Sequence, residues 1–306
     1  MTFTFTPAVR ENVALILGLA GPSGGGKTYT GMRLCTGLAG GERFCVIDTE
    51  AGRAKHYADQ FKFDHGDLTA PFTPDRYTEA ILAADAAGYR AIMLDSMSHE
   101  WAGDGGILDW QEQEFSRMGY KETARMASWI KPKMSHKRMV QALLQVRAHL
   151  VLCFRAEPKI DMVKNPQTGK IEVVPKQSLV GLDGWIPVTE KNLPFELTAS
   201  FLFTPEAPGV PKKIKLEEQH KMLFPLDRVV DEVSGERLAE WARGGAPSST
   251  AQYITESQVA DLRTLLQDAQ VPLSSLLKAA NVPAIERITA ANLARAVTWI
   301  NKHKGA

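Results

Sequence analysis

One segment constrains the fold more than any other. Residues 21–28 read GPSGGGKT, they follow the apolar run VALILGLA at 13–20, and the helix-compatible stretch KTYTGMRLCTGL begins within them. The spacing G-x-x-x-x-G-K-[ST] between a strand and a helix is the context that a phosphate-binding loop requires. Gly24, Gly25 and Gly26 let the backbone turn tightly and aim N–H groups at phosphate oxygens. The helix start adds its own unpaired N–H groups and the positive end of its dipole. Lys27 can reach the β and γ phosphates, and the Thr28 hydroxyl can ligate Mg²⁺. The lysine–threonine pair points to a nucleoside triphosphate, not a dinucleotide. The expected ligands are a nucleoside triphosphate and Mg²⁺, held by Gly21, Pro22, Ser23, Gly24, Gly25, Gly26, Lys27, Thr28 and Tyr29.

Strand-length apolar runs alternate with helical patterns after the loop. Strands are expected at 43–48, 90–95 and 149–154, and helices at 76–87 and 123–145, the latter interrupted by Pro132. Nearly continuous apolar strands separated by helices argue for a parallel α/β sheet. Beyond Arg155 the texture changes. Segments 159–164 and 170–176 flank the turn sequence NPQTG and predict a hairpin. Further strands are expected at 195–203, 212–216 and 221–224. Residues 243–250, RGGAPSST, read as a linker. The chain is thus expected to divide into a core at 1–242, that linker, and a small helical module at 251–306. In the module Thr255 and Gln258 form a capping box, Pro272 can open a second helix, and Thr289 can cap a third.

Carboxylates placed at strand ends supply the remaining chemistry. Asp95 closes the apolar strand AIML, where a carboxylate can hold the water shell of Mg²⁺. Glu50 closes VIDTE after the second strand and can align an attacking water. Asp48 is a weaker competitor, because alternate strand residues face opposite sides. Arg155, at the end of HLVLCFR, can contact the γ-phosphate or pair with a nearby acid. His99 and Glu100 are expected as supporting groups, and His149 as remote from the nucleotide.

These elements in order resemble a RecA-type P-loop ATPase. GPSGGGKT, FCVIDTE at 44–50, Tyr57 and AIMLDS at 91–96 carry the resemblance. It implies a RecA-like α/β fold with a mainly parallel central sheet flanked by helices. It also implies that the nucleotide is ATP, that Lys27, Glu50 and Arg155 are catalytic, that Thr28 and Asp95 bind the metal, and that Tyr57 stacks on adenine. Arg155 departs from the polar amide that the recombinases keep at the γ-phosphate sensor. More narrowly, the short region ahead of the first strand, DSMSHEW at 95–101 and the C-terminal ITESQVADLRTLL are similar to shortened phage RecA-like ATPases associated with single-strand annealing recombination.

Total charge is uninformative, with 36 Lys and Arg against 35 Asp and Glu, but its distribution is uneven. Arg117, Lys121, Arg125, Lys131, Lys133, Lys137, Arg138 and Arg147 share their interval with one acid, Glu122, and with Tyr120 and Trp129. A basic groove with aromatics is how single strands are held without sequence readout. Arg125, Lys131, Lys133, Lys137 and Arg138 are expected to meet DNA phosphates there. A solvated helix face is the alternative. Lys159, Lys164 and Lys170 of the hairpin are expected to contribute, by analogy with loops lining the DNA path in RecA-like proteins. The cluster Lys212, Lys213 and Lys215 could complete a neighbouring subunit's active site in a homo-oligomeric ring or filament. Three cysteines, Cys35, Cys45 and Cys153, lack metal-ligand spacing. With no signal peptide and no long apolar run, a cytoplasmic protein with no membrane contact is expected, in the bacterial host if phage-encoded. The function expected is an ATPase acting on single-stranded DNA in phage recombination, annealing or repair. The alternatives are a helicase-like or loader ATPase, and a nucleotide-regulated scaffold recruiting a single-strand binding or annealing protein.

Overall fold

The computed structural model describes residues 8, 10–167, 169–244, 253–280, 282, 284–288 and 290–304. These fall into two units, 1–244 and 245–306. The expected linker at 243–250 lies outside the described residues apart from Arg243 and Gly244.

The first unit opens with β1 (Ile16–Gly21), α1 (Lys27–Leu38), β2 (Phe44–Asp48), β3 (Phe63–Asp67), α2 (Pro74–Ala86) and β4 (Ala91–Asp95). Four helices follow: α3 (Ser98–Ala102), α4 (Ile107–Arg117), α5 (Arg125–Ser128) and α6 (Ile130–Leu143). Next come β5 (His149–Pro158), β6 (Ile160–Lys164), β7 (Ile171–Pro175), β8 (Trp185–Pro187), α7 (Leu193–Glu196), β9 (Ala199–Leu202), β10 (Lys212–Leu216) and α8 (Glu232–Arg243). The second unit carries α9 (Glu256–Ala269), α10 (Leu273–Ala280) and α11 (Leu293–Lys302).

Among the described residues an eight-stranded sheet runs β10-β9-β1-β5-β4-β2-β3, with β8 paired to β5. The pairs from β9 through β3 are parallel, and only β10 and β8 join antiparallel. The sheet is buried on both faces, which is why its inner strands read as continuous apolar runs. Leu15, Leu17, Leu19, Val46, Met93 and Val151 face one core with α1 and α8. Ile16, Ile47, Ile92, Leu94, Leu150 and Leu152 face the other with α2 and α6. The mainly parallel α/β fold expected from the alternation is thus present.

Three expected elements differ. The segment 195–203 is not one strand: Phe195 and Glu196 belong to α7, opened by Pro194, and only 199–202 is extended. Residues 218–223 form a 3₁₀ turn where 221–224 was expected to be a strand. Pro132 does not interrupt a long helix; it sits in the first turn of α6, where its missing N–H costs nothing, and the break falls at Trp129. In the second unit the capping box of Thr255 and Gln258 is formed, and α10 starts directly after Pro272. Thr289 lies outside the described residues.

Candidate active site

In an open parallel sheet the ligand crevice lies at the carboxyl ends of the strands, where the order switches direction. Here the chain leaves β1 for α1 and β2, and two later strands, β5 and β4, fill the gap between β1 and β2. The register puts Gly21 opposite Arg155, and Asp48 opposite Asp95. The ends of β1, β2 and β4 therefore share one edge with Arg155, which lies inside β5 and not at the strand end expected, and every expected catalytic or metal-binding residue stands on that edge or just beyond it.

The glycine loop is built for an anion. Gly24 and Gly26 have φ of 82° and 84°, the left-handed region that side chains disfavour. Gly26 is the residue before α1, so the loop delivers the chain directly onto a helix N-terminus. Lys27 Nζ donates to the Pro22 carbonyl at 2.8 Å, which folds the side chain back over the loop. Burial lowers the Lys27 pKa, and the carboxylates of Asp95 and Glu50 are among the groups that oppose this shift.

Thr28 Oγ1 donates to Asp95 Oδ2 at 2.5 Å. That hydroxyl–carboxylate contact joins the loop helix to β4. Burial raises the pKa of Asp95, with the Thr28 hydrogen bond acting the other way. Among the described residues no group of three His, Cys, Asp or Glu side chains could hold a metal unaided. Thr28 and Asp95 suit Mg²⁺, which prefers one or two protein oxygens completed by water and substrate phosphates.

Asp48 braces the turn after β2. Its buried carboxylate accepts from the Glu50 N–H at 2.6 Å, the Ala54 N–H at 2.9 Å and His65 Nε2 at 3.1 Å. These bonds hold the turn that presents Glu50. The Glu50 carboxylate meets Arg155: Nε lies 3.1 Å and Nη2 2.8 Å from Oε1, and Nη2 lies 2.9 Å from Oε2. The Arg155 backbone is fixed independently, its N–H donating to Ser98 Oγ at 2.9 Å and its carbonyl accepting from Val188. Behind the pair, Thr49 Oγ1 accepts from the Ser96 N–H at 2.7 Å and lies 2.7 Å from His99 Nδ1. Burial and the Arg155 cation hold His99 below its ordinary range. Its tie to Thr49 had no signal in the sequence beyond proximity to two strand ends.

Tyr57 ends a 3₁₀ turn and packs half-buried on the core. Its ring lies 5.8 Å from Tyr29, which stands edge-on to Phe61 at 5.3 Å. The structure thus gathers three aromatics beside the loop helix, and Phe61 was missed because it follows Tyr57 by four residues on no regular element.

The basic interval is less free than the sequence count implies. Glu114, reaching across from α4, pairs with Arg117 and, at 3.2 Å, with Lys131. Arg125 pairs with Glu122 at 2.7 Å and lies over Phe115. Arg138 approaches Asp75 and Arg147 approaches Asp85. Lys133 lies 5.4 Å from the centre of the Trp129 ring, which itself stacks on Trp101 at 6.0 Å. Among the described residues Lys121, Lys133 and Lys137 have no carboxylate at ion-pair distance.

The hairpin forms as expected from β6 and β7, with Lys164 and Lys170 near its turn. Lys159 pairs with Glu157 at 2.9 Å. One face of this ribbon carries Ile160, Met162, Ile171 and Val173, all more than half exposed. Of the other cluster, Lys215 is spent on the Phe195 and Leu197 carbonyls, and Lys212 approaches Asp183.

A loop of this geometry, backed by a threonine–aspartate pair at the switch point of a parallel sheet, defines a P-loop nucleoside triphosphatase. A family described as an AAA domain matches residues 14–185 of the 306, more than half of the chain, and the chain belongs to that family. A comparison with curated proteins returned no match. Among the described residues no helix is long and apolar enough to cross a membrane.

Proposed function

We propose that the chain is a Mg²⁺-dependent ATPase that acts on single-stranded DNA in phage recombination, annealing or repair. The observation that carries the enzymatic part is the convergence of Lys27, the Thr28–Asp95 pair and Glu50 on one sheet edge. Lys27 and the loop N–H groups hold the phosphates. Thr28 and Asp95 hold the metal, which offsets phosphate charge when bound. Glu50 aligns the attacking water and takes up its proton. Arg155 is the cation available to the γ-phosphate, and engaging it there withdraws it from Glu50. Tyr57 and Tyr29 flank the base.

Support for a nucleic-acid partner comes from two surfaces. Lys121, Lys133 and Lys137 lie on or near the helices that flank Trp129. The β6–β7 ribbon sets an exposed apolar face between lysines, a surface that suits unstacked bases and backbone phosphates. Assembly into a homo-oligomer, with Lys213 reaching a neighbouring site, belongs to the same reading. The Glu50–Arg155 pair also favours a second reading, a nucleotide-regulated scaffold with little turnover, because it neutralises the candidate base.

Phosphate release measured with and without single-stranded DNA separates the two. Parent turnover stimulated by DNA, and a loss of about 10²–10⁴-fold in Glu50→Gln with ATP still bound, is the expected result. No turnover under either condition would leave the scaffold reading standing and reject the enzyme.

A further inference from the structure

The second unit has its own core, formed by residues such as Leu262, Leu266, Leu276, Ile285, Ile288 and Ile300. That core does not use all of the apolar surface. Between α10 and α11 a cavity of about 240 Å³ remains. Leu276, Ile288 and Ala296 form its buried floor, Ala279 and Trp299 its walls, and Arg295 its exposed rim. Trp299 is held in place: its ring stacks on His303 at 4.2 Å, and its carbonyl is 2.8 Å from His303 Nδ1. A fixed indole beside small alanines is a ready socket for an apolar side chain.

Charge decides what enters it. Among the described residues that line the cavity Arg295 is the sole charged one, and none of them is a carboxylate. Other arginines of this unit are engaged: Arg263 pairs with Glu286 at 2.9 Å, and Arg287 lies over Tyr253. Among the described residues no carboxylate lies at ion-pair distance from Arg295. A nucleic-acid backbone is a poor occupant, because it needs several cations in a row and this site offers one. A peptide presenting apolar side chains and one carboxylate matches both the socket and the rim. Tryptophan and arginine are also the residue types that dominate protein interfaces energetically.

We propose that the α10–α11 groove docks a short segment of a partner protein, its apolar side chains against Leu276, Ile288 and Trp299 and its carboxylate on Arg295. This holds whether or not the first unit hydrolyses ATP.

The test pans a library of short random peptides with free C termini against the full chain, the Arg295→Glu chain and the Ala279→Trp chain. The parent is expected to enrich peptides that combine bulky apolar residues with Asp, Glu or the terminal carboxylate. Arg295→Glu should turn the selection toward Lys or Arg at the same position. A labelled peptide of the parent consensus should lose about tenfold or more in affinity to Arg295→Glu, a change of about 1.4 kcal/mol or more. Ala279→Trp, which fills the socket, should abolish binding. Arg295 is exposed, so its variant keeps the test decisive if the larger tryptophan disturbs the fold. No enrichment by the parent, a consensus without a carboxylate, or equal binding to parent and Arg295→Glu would each overturn the proposal. So would single-stranded DNA that binds the full chain and is weakened by Arg295→Glu, since the rim arginine would then serve a phosphate.

Discussion

The Glu50 carboxylate has two claims on it, a water to orient and a guanidinium to neutralise. Arg155 is pinned through its backbone to Ser98 and Val188, so its side chain can turn between Glu50 and a phosphate without moving β5. Arg155→Gln should therefore lower turnover about 10²–10³-fold, the loss typical of one charge-stabilising donor. It should weaken a non-hydrolysable ATP analogue while leaving ADP affinity unchanged, because only the triphosphate offers the γ oxygen. Parent-like turnover in that variant would reduce Arg155 to a partner of Glu50. Lys27 and Thr28 were legible from the glycine loop that follows β1, and Glu50, Asp95 and Arg155 because each lies at or just after an apolar run. Which of them touch was not, since Glu50 and Arg155 meet across 105 residues. The same blindness affected charge. Glu114 lies just outside the basic interval in sequence yet pairs with two of its cations in space.

At the level of elements, the contact of α1 with α8 shows what local pattern hides. A Cβ on Gly37 would meet the Glu232 carbonyl at 2.0 Å, and one on Gly235 would meet the Leu34 carbonyl at 2.3 Å. The two helices cross backbone to backbone, and Arg33 locks them with a fork on Glu232 at 2.6 and 2.8 Å. Gly235→Ala should destabilise the first unit by about 1–3 kcal/mol or more, since backbone cannot step aside as a side chain can. Thermal melting that matched the parent would show the crossing to be looser. The start of β5 carries a pH-dependent load. His149 Nδ1 accepts the Leu15 N–H at 3.2 Å, and burial, helped by Arg243 and Arg90, holds its pKa down to about 4 from 6.5. As pH falls between those values, the unfolded chain binds the proton first, so stability drops with pH by up to about 3 kcal/mol. His149→Asn keeps an acceptor for Leu15 without the titration. Its stability should fall less than the parent's on going from about pH 7 to about pH 4.5 in urea melts, and equal falls would clear His149. The buried strands and their helices were readable from apolar runs. Strand β3, FDHGD, was not, because an edge strand with polar residues is held by backbone pairing to β2 and carries no hydrophobic signature.

Whole-molecule organisation rests on where the cores lie. Among the described residues both faces of the sheet are packed by residues between Leu15 and Ala242, and the third core draws on residues from Ile254 to Ile300. Each unit thus has its own core, and the composition break at 243–250 marks the same region of the chain. A first unit of about this size buries enough surface to fold alone, whereas a segment as short as 245–306 is marginal by itself. A chain ending after Gly244 should therefore remain folded, melt cooperatively within a few degrees of the parent's main transition, and bind nucleotide with unchanged affinity. Lys27, Thr28, Glu50, Tyr57, Asp95 and Arg155 all remain in it. It should lose whatever binding belongs to the α10–α11 groove, so peptide binding and nucleotide binding separate on truncation. Calorimetry and nucleotide titration on the shortened chain are the measurements. An insoluble product, or one that no longer binds nucleotide, would mean that residues 245–306 complete the first unit's fold, and the two-unit division would fail.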